Sequence, residues 1–225
     1  MVYLLNDEIM FPDPREGEES GFFAVGGDLS TERLVLAYHN GIFPWYAFRD
    51  AFARYVDKDG KAMIEWWCPQ KRFVIFPEKI HISHSMKQLI NSKKYTVTFN
   101  QDFNSVIENC SNLRIKFIAA WLGSRMVAAY KKLHDEGHAI SVEVWNSDGK
   151  LAGGLYGVKA NRCICGESMF SLEPNTSKLA LITLAQAMRK NGGLMIDCQF
   201  ETSHLKSMGG ETISYDEYMR VISQR

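Results

Sequence analysis

An α+β fold is what this sequence of 225 residues predicts, on three observations. Leu181, Leu184, Ala185 and Met188 recur at i, i+3, i+4 and i+7, the period of one strong amphipathic helix. Ahead of it, 139–145, 151–158 and 163–166 read as a three-strand meander, with turns at Asn146-Ser-Asp-Gly149 and near Asn161. Behind it come a buried strand over 194–200 and a last helix opened by Ser214-Tyr-Asp-Glu217, a capping box. At roughly 150 residues per domain the length allows one large or two modest domains. We place a small N-terminal α/β domain at 1–78 and a larger one at 79–225.

The composition is that of a globular chain. Apolar residues make up 46% and charged ones 23%, enough to bury a core without staples. Lys+Arg and Asp+Glu both count 26, so the net charge is zero. That excludes the strongly cationic surface of a protein that coats nucleic acid, and leaves room for a small basic patch. Cys163-Ile-Cys165 has no second cysteine pair at metal-binding spacing, so no zinc site is expected. The five cysteines read as reduced thiols in a reducing cytosol. The start lacks a basic region and an apolar run, and no stretch reaches the ~20 apolar residues of a membrane helix. A cytoplasmic protein with no membrane partner is expected.

Along the chain, residues 1–29 are turn-rich, with Phe11-Pro-Asp-Pro14, an acidic run over 16–19 and Gly26-Gly-Asp28. Ser30 caps a short helix that stops at Gly41. Gly41-Ile-Phe-Pro-Trp45 crowds three large apolar groups at a turn, and the polar segment 49–61 reads as a surface insertion. Trp66-Trp67-Cys68-Pro69 leads into an apolar strand, Phe73-Val-Ile-Phe76, taken as the end of the first domain. Ser83 opens a helix through about Ile90, and Tyr95–Phe99 alternates as a strand. Asn100 is read as the cap of a helix with Phe103, Val106 and Ile107. A further helix over 124–136 ends at Gly137.

Chemistry concentrates in two places. In Leu194–Phe200 a carboxylate, Asp197, sits late in an apolar strand, where it costs free energy unless paired or functional. Strand alternation puts Gln199 on its face, and a loop-capping role for Asp197 is the competing reading. In Gly166-Glu-Ser-Met-Phe170, Glu167 stands at the end of a meander strand, with a solvated turn as its alternative. His134 and His138 have helical spacing, but Gly137 ends the helix between them, so no metal is expected. The element order matches the acetyltransferase (GNAT) superfamily. The segment 165–178 nevertheless lacks the Arg/Gln-x-x-Gly-x-Gly/Ala turn that holds a pyrophosphate, which argues against coenzyme A.

Several long motifs in order resemble one family, the bacterial leucyl/phenylalanyl-tRNA–protein transferases. They are Gly26-Gly-Asp-Leu-Ser30, Tyr38-His-Asn-Gly-Ile-Phe-Pro-Trp45, Trp66-Trp-Cys-Pro69, His81-Ile-Ser-His-Ser-Met86, Gly137-His-Ala-Ile-Ser-Val-Glu-Val-Trp145, Gly153-Gly-Leu-Tyr-Gly157, Gly166-Glu-Ser-Met-Phe-Ser171 and Asp197-Cys-Gln199. The resemblance implies a small N-terminal domain on a GNAT-like one. It implies transfer of Leu, Phe or Met from aminoacyl-tRNA to an N-terminal Arg or Lys, marking the acceptor for degradation, by a monomer without cofactor or metal. By resemblance, Asp197 accepts hydrogen bonds from the incoming amine, Gln199 orients it or helps relay its proton, and Glu167 helps hold the amine or the basic acceptor side chain. Trp45 and Trp121 flank the 3′ adenosine of the tRNA. Leu155, Ile164, Leu184, Met188 and Ile196 line the donor pocket, and His81, His84, Lys87, Lys93 and Lys94 form the tRNA-binding patch. Two rivals remain: a related transferase acting on acidic N-termini or cell-wall peptides, and an inactive module that binds tRNA or degrons.

Overall fold

The computed structural model describes residues 2–45, 53–115 and 122–224, leaving aside the side chains of 113–115. A four-stranded sheet is built from β1 (Tyr3–Leu5), β2 (Phe22–Gly26), β3 (Phe43–Trp45) and β4 (Glu65–Trp67), in the order β1-β2-β4-β3. Helix α1 (Thr31–His39) joins β2 to β3 and starts where the Ser30 hydroxyl accepts the Arg33 N–H, as its cap position predicts. The turn-rich reading of 1–29 missed β1 and β2. They are short, and β2 is buried throughout, so neither shows polar–apolar alternation.

The second sheet has seven strands in the order β11-β5-β10-β9-β8-β7-β6. Its members are β5 (Lys71–Ile75), β6 (Thr96–Phe99), β7 (Ala139–Trp145), β8 (Leu151–Ala160), β9 (Cys163–Ser171), β10 (Met195–Asp197) and β11 (Glu211–Ser214). The meander β7-β8-β9 is antiparallel as expected, and β10 runs parallel to β9 after helix α5 (Thr176–Lys190). The fold is α+β. One strand changes sides relative to the sequence reading. β5, taken as the end of the first domain, pairs with β10 and β11 in the large sheet, so the break between sheets falls between Trp67 and Lys71, upstream of residue 78.

Helices cover both faces of the large sheet. α2 (His84–Asn91) and α5 pack with Val142, Leu155, Ile196 and Ile75 on one side. α3 (Phe103–Ile115), α4 (Ser124–Asp135), α1 and α7 (Tyr215–Ile222) share a core with Tyr156, Val158, Cys165 and Met195 on the other. That second core also contains Phe43, Ile64 and Trp66 of the small sheet, so the two sheets close on common apolar residues. Each fully buried Leu or Phe there contributes about 1.5–3 kcal/mol. Asp102, rather than Asn100, caps α3 by accepting the Ser105 N–H. Asn100 instead takes a left-handed turn (φ 55°) and pins β7 through its side chain. A short helix, α6 (Ser203–Ser207), and β11 follow β10 with no apolar period to announce them. Of the polar segment 49–61, residues 49–52 lie outside the described part, and the remainder forms a loop where Val56 bridges Ala62. No helix among the described residues is long and apolar enough to cross a membrane.

Candidate active site

The site lies where two neighbouring strands stop running together. β10 pairs with β9 only as far as Asp197↔Cys165, whereas β9 continues to Ser171. Beyond that point the sheet opens into a cavity of about 340 Å³. Trp45, Leu155, Met169, Leu181, Leu184, Ile196 and Leu205 make it predominantly apolar, and Glu167 and Gln199 bring carboxyl and carboxamide groups to its wall. Of the residues expected to line a donor pocket, Leu155, Leu184 and Ile196 do so. Ile164 and Met188 do not: both pack into the core beside α5, further from the open end of β9, as strand and helix continue away from the split. Leu181, two turns before Met188 on α5, takes the lining position that the helical stripe alone could not assign to one residue.

Glu167 owes its direction to a β-bulge. The β8–β9 register steps from Tyr156↔Ser168 to Gly157↔Gly166, so Glu167 is the extra residue without a cross-strand partner. A bulge re-aims a side chain, and this one lies mid-strand rather than at a strand end as the sequence suggested. The carboxyl is buried. Its Oε2 accepts the Tyr130 hydroxyl at 2.9 Å and its Oε1 accepts the Gln199 carboxamide at 3.0 Å. Burial pushes Glu167 up to about 7, partly offset by the hydroxyls of Tyr130 and Tyr38; the Asp197 charge raises it further and Arg72 lowers it. A carboxyl that titrates near neutrality beside a cavity is equipped to exchange a proton with an amine.

Asp197 has a different place from the one expected. It is 0% exposed and does not line the cavity. Arg72 grips it with two charge-assisted bonds, Nε to Oδ1 at 2.8 Å and Nη2 to Oδ2 at 2.7 Å. The Tyr218 hydroxyl donates to Oδ2 at 2.9 Å and the Gln199 backbone N–H to Oδ1 at 2.8 Å. Four donors occupy a carboxylate with about four acceptor sites, so no lone pair is left for an incoming amine. Alternation did not bring Asp197 and Gln199 to one face either. The strand ends at Asp197, and Gln199 turns left-handed (φ 64°), which swings its side chain toward Glu167. Asp197 is therefore the anchor of that turn.

The Gly41–Trp45 motif builds the other half of the anchor. The Arg72 guanidinium lies between the rings of Phe43 and Tyr218, 5.0 and 4.7 Å from their centroids. Gly41 holds φ 71°, and a Cβ there would come within 2.6 Å of the Tyr218 ring. Glycine is thus needed both for the turn and for Tyr218 to reach Asp197. Trp45, at the end of β3, lies 6.2 Å from Trp67 and forms part of the cavity wall. Trp121 falls outside the described residues. Arg72, Tyr38, Tyr130 and Tyr218 were not anticipated from sequence. Each stands beside other polar residues in sequence and has no local mark of the kind that drew attention to Asp197.

Outside the cavity, His81 precedes α2, His84 and Lys87 lie on it, and Lys93 and Lys94 follow it; all five are exposed. Lys94 is already engaged by Glu173 at 3.2 Å, whose carboxylate Tyr95 and Asn146 also hold. The pocket thiol Cys198 is pushed well above its ordinary value by burial, so it is not a thiolate nucleophile. No cluster of three metal-ligating side chains exists among the described residues.

Comparison with known proteins gives the family. The family model described as leucyl/phenylalanyl-tRNA protein transferase matches residues 74–223, and that of its N-terminal domain matches residues 27–70. The leucyl/phenylalanyl-tRNA–protein transferase of Flavobacterium psychrophilum is 41% identical over 224 residues, covering 99% of this chain and 100% of the relative. That of Maridesulfovibrio salexigens is 42% identical over 225 residues, covering 100% and 89%. Among solved structures, FemX overlaps 86% of this chain and 71% of its own at 12% identity, with a TM-score of 0.47. With its two family models abutting near Gln70 and full-length relatives above 40% identity, the chain belongs to the leucyl/phenylalanyl-tRNA–protein transferase family.

Proposed function

We infer that this chain transfers leucine or phenylalanine from aminoacyl-tRNA to the N-terminal Arg or Lys of acceptor proteins, with Met as a further donor, and so marks them for degradation. One observation carries the chemistry. An apolar cavity fit for an aliphatic or aromatic side chain ends at a Glu167–Gln199 pair fit for an amine. The donor ester is already activated, so the enzyme needs only to align it with a neutral amine. The Glu167 carboxylate takes one proton from the α-ammonium of the acceptor. The freed nitrogen lone pair attacks the ester carbonyl carbon. As the carbon–oxygen bond to the ribose breaks, the second proton on nitrogen passes to the departing ribose oxygen, and Glu167 returns its proton to solvent. Gln199 orients the amine, held in place by Asp197.

The donor side chain sits against Leu155, Leu184 and Ile196, with Leu181 and Met169 beside them. Trp45 stacks on the terminal adenine, and the exposed His81, His84, Lys87 and Lys93 contact tRNA phosphates; Lys94 contributes less because Glu173 already holds it. About three to five phosphate contacts are expected of a chain with no net charge and a small basic patch.

The test is incubation with an Arg-started peptide and a panel of charged tRNAs, read by mass. Addition of one Leu or Phe residue is expected, and a peptide of unchanged mass overturns the reading. Val-tRNA and Ile-tRNA should be poorer donors by about 1–3 kcal/mol, since their branch crowds the carbon next to the ester. Equal use of Val and Leu would rule out this pocket. Trp45→Ala should weaken donor binding by about 1–3 kcal/mol through lost base stacking, measured as the apparent affinity for Leu-tRNA. An unchanged affinity would reduce Trp45 to a packing role against Trp67.

A further inference from the structure

Beneath Glu167, on the side away from the cavity, two tyrosines form a closed chain of hydroxyls. Tyr130 of α4 donates to Glu167 Oε2 at 2.9 Å, and its oxygen lies 2.7 Å from the hydroxyl of Tyr38 on α1. When Glu167 is charged the Tyr130 proton is committed to it, which makes Tyr38 the donor in the second bond. Both side chains are essentially without solvent exposure. Both phenols are pushed well above their ordinary value by burial, so they remain neutral donors throughout the working pH range. We propose that Tyr38 and Tyr130 are positioning residues for transfer, a two-hydroxyl chain that holds the Glu167 carboxylate toward the cavity and stabilises its charged form. This proposal rests on the reading of Glu167 as the proton acceptor and extends it to residues that never touch substrate.

The geometry separates the two oxygens of Glu167 by task. Oε2 faces the tyrosines, and Oε1 faces Gln199 and the cavity. A hydrogen bond to the charged form favours it, and a donor that is itself a hydrogen-bond acceptor donates more strongly. The other groups that bear on the carboxyl are Cys165 on β9 itself, Asp197 on the neighbouring β10 and Arg72 on β5, which neutralises Asp197, while Tyr156 on β8 bears on Tyr130. Arg72 is committed to Asp197, so Tyr130 and Tyr38 supply the adjustable contribution.

The experiment compares the full-length protein with Tyr130→Phe, Tyr38→Phe and Glu167→Gln. The carboxyl C=O stretch of Glu167 is assigned in infrared difference spectra by its absence from Glu167→Gln, and is titrated in each variant. Tyr130→Phe should move its midpoint up by about one pH unit, the equivalent of one hydrogen bond to a charged group, and Tyr38→Phe should move it less in the same direction. In transfer assays over the same pH range, the rate of Tyr130→Phe relative to wild type should be lowest at acid pH and recover as pH rises. The titration of the acceptor's own amine cancels in that ratio. An unmoved infrared midpoint, or a ratio equally depressed at every pH, overturns the proposal. Should wild type make no product at all, the transfer reading fails by itself, and the titration still decides whether the tyrosines stabilise the carboxylate.

Discussion

Replacing Asp197 with alanine is expected to destabilise the fold by about 3–5 kcal/mol, because it leaves the Arg72 guanidinium buried without its counter-charge. Both partners are inaccessible, with Asp197 at 0% and Arg72 at 1% exposure, so water cannot take the place of the lost carboxylate. The same change frees the Gln199 turn, whose backbone N–H loses its acceptor, and frees Tyr218. Transfer should therefore fall by about 10²-fold or more even in molecules that remain folded. Urea unfolding separates the two effects. Unfolding at the wild-type free energy would refute the anchor role, and full transfer activity would refute the coupling to Gln199. Removing both charges, Arg72→Met with Asp197→Leu, should recover much of the stability but not the activity. Apolar pairs of similar volume replace buried ion pairs well, whereas nothing in that pair holds Gln199.

Glu167→Gln is expected to lower transfer by about 10²-fold or more, since a carboxamide of nearly the same shape cannot accept the amine's proton. It should also flatten the pH dependence of stability. The folded-state midpoint of Glu167, about 7, lies above the ordinary carboxylate value of 4.5, so the folded protein retains a proton that the unfolded chain has lost. The associated stability is fully present below about pH 4.5 and is lost as pH rises through about 7, a change of roughly 3 kcal/mol for this group. Unfolding free energies measured near pH 5 and near pH 8 should thus differ less in Glu167→Gln than in wild type. The same difference in both proteins would show that Glu167 is an ordinary solvated carboxylate.

The two carboxylates illustrate what could be read in advance. Asp197 attracted attention for the cost of a charge inside an apolar strand and Glu167 as an acid at the end of a meander strand, and both proved to be buried and hydrogen-bonded. Their roles were not legible. The resemblance gave Asp197 the incoming amine, whereas in the structure its acceptor sites are taken by Arg72, 125 residues away in sequence, together with the Tyr218 hydroxyl and the Gln199 backbone N–H. Alternation also misplaced Gln199, because a strand that ends one residue after Ile196 ceases to obey a period of two. For Glu167, the bulge opposite Gly157 has no local sequence mark, since its register depends on the pairing of two strands. Met188 lay on the correct helix but on a turn too far from the split between β9 and β10, while Leu181 reached the cavity.

What the sequence determined by itself was everything set by local periodicity and capping. The meander, α5 with its apolar stripe, the Ser30 and Ser214 caps and the α+β order all follow from side chains within a few residues of one another. The family, too, was carried by motifs contiguous in the chain. Only the tertiary structure decided that β5 crosses into the large sheet and brings Arg72 to Asp197, that Gly41 admits Tyr218, and that Tyr38 and Tyr130 meet under Glu167. These contacts join residues up to about four-fifths of the chain apart, and the cost of burying each polar group is met by a partner that no neighbouring residue announces.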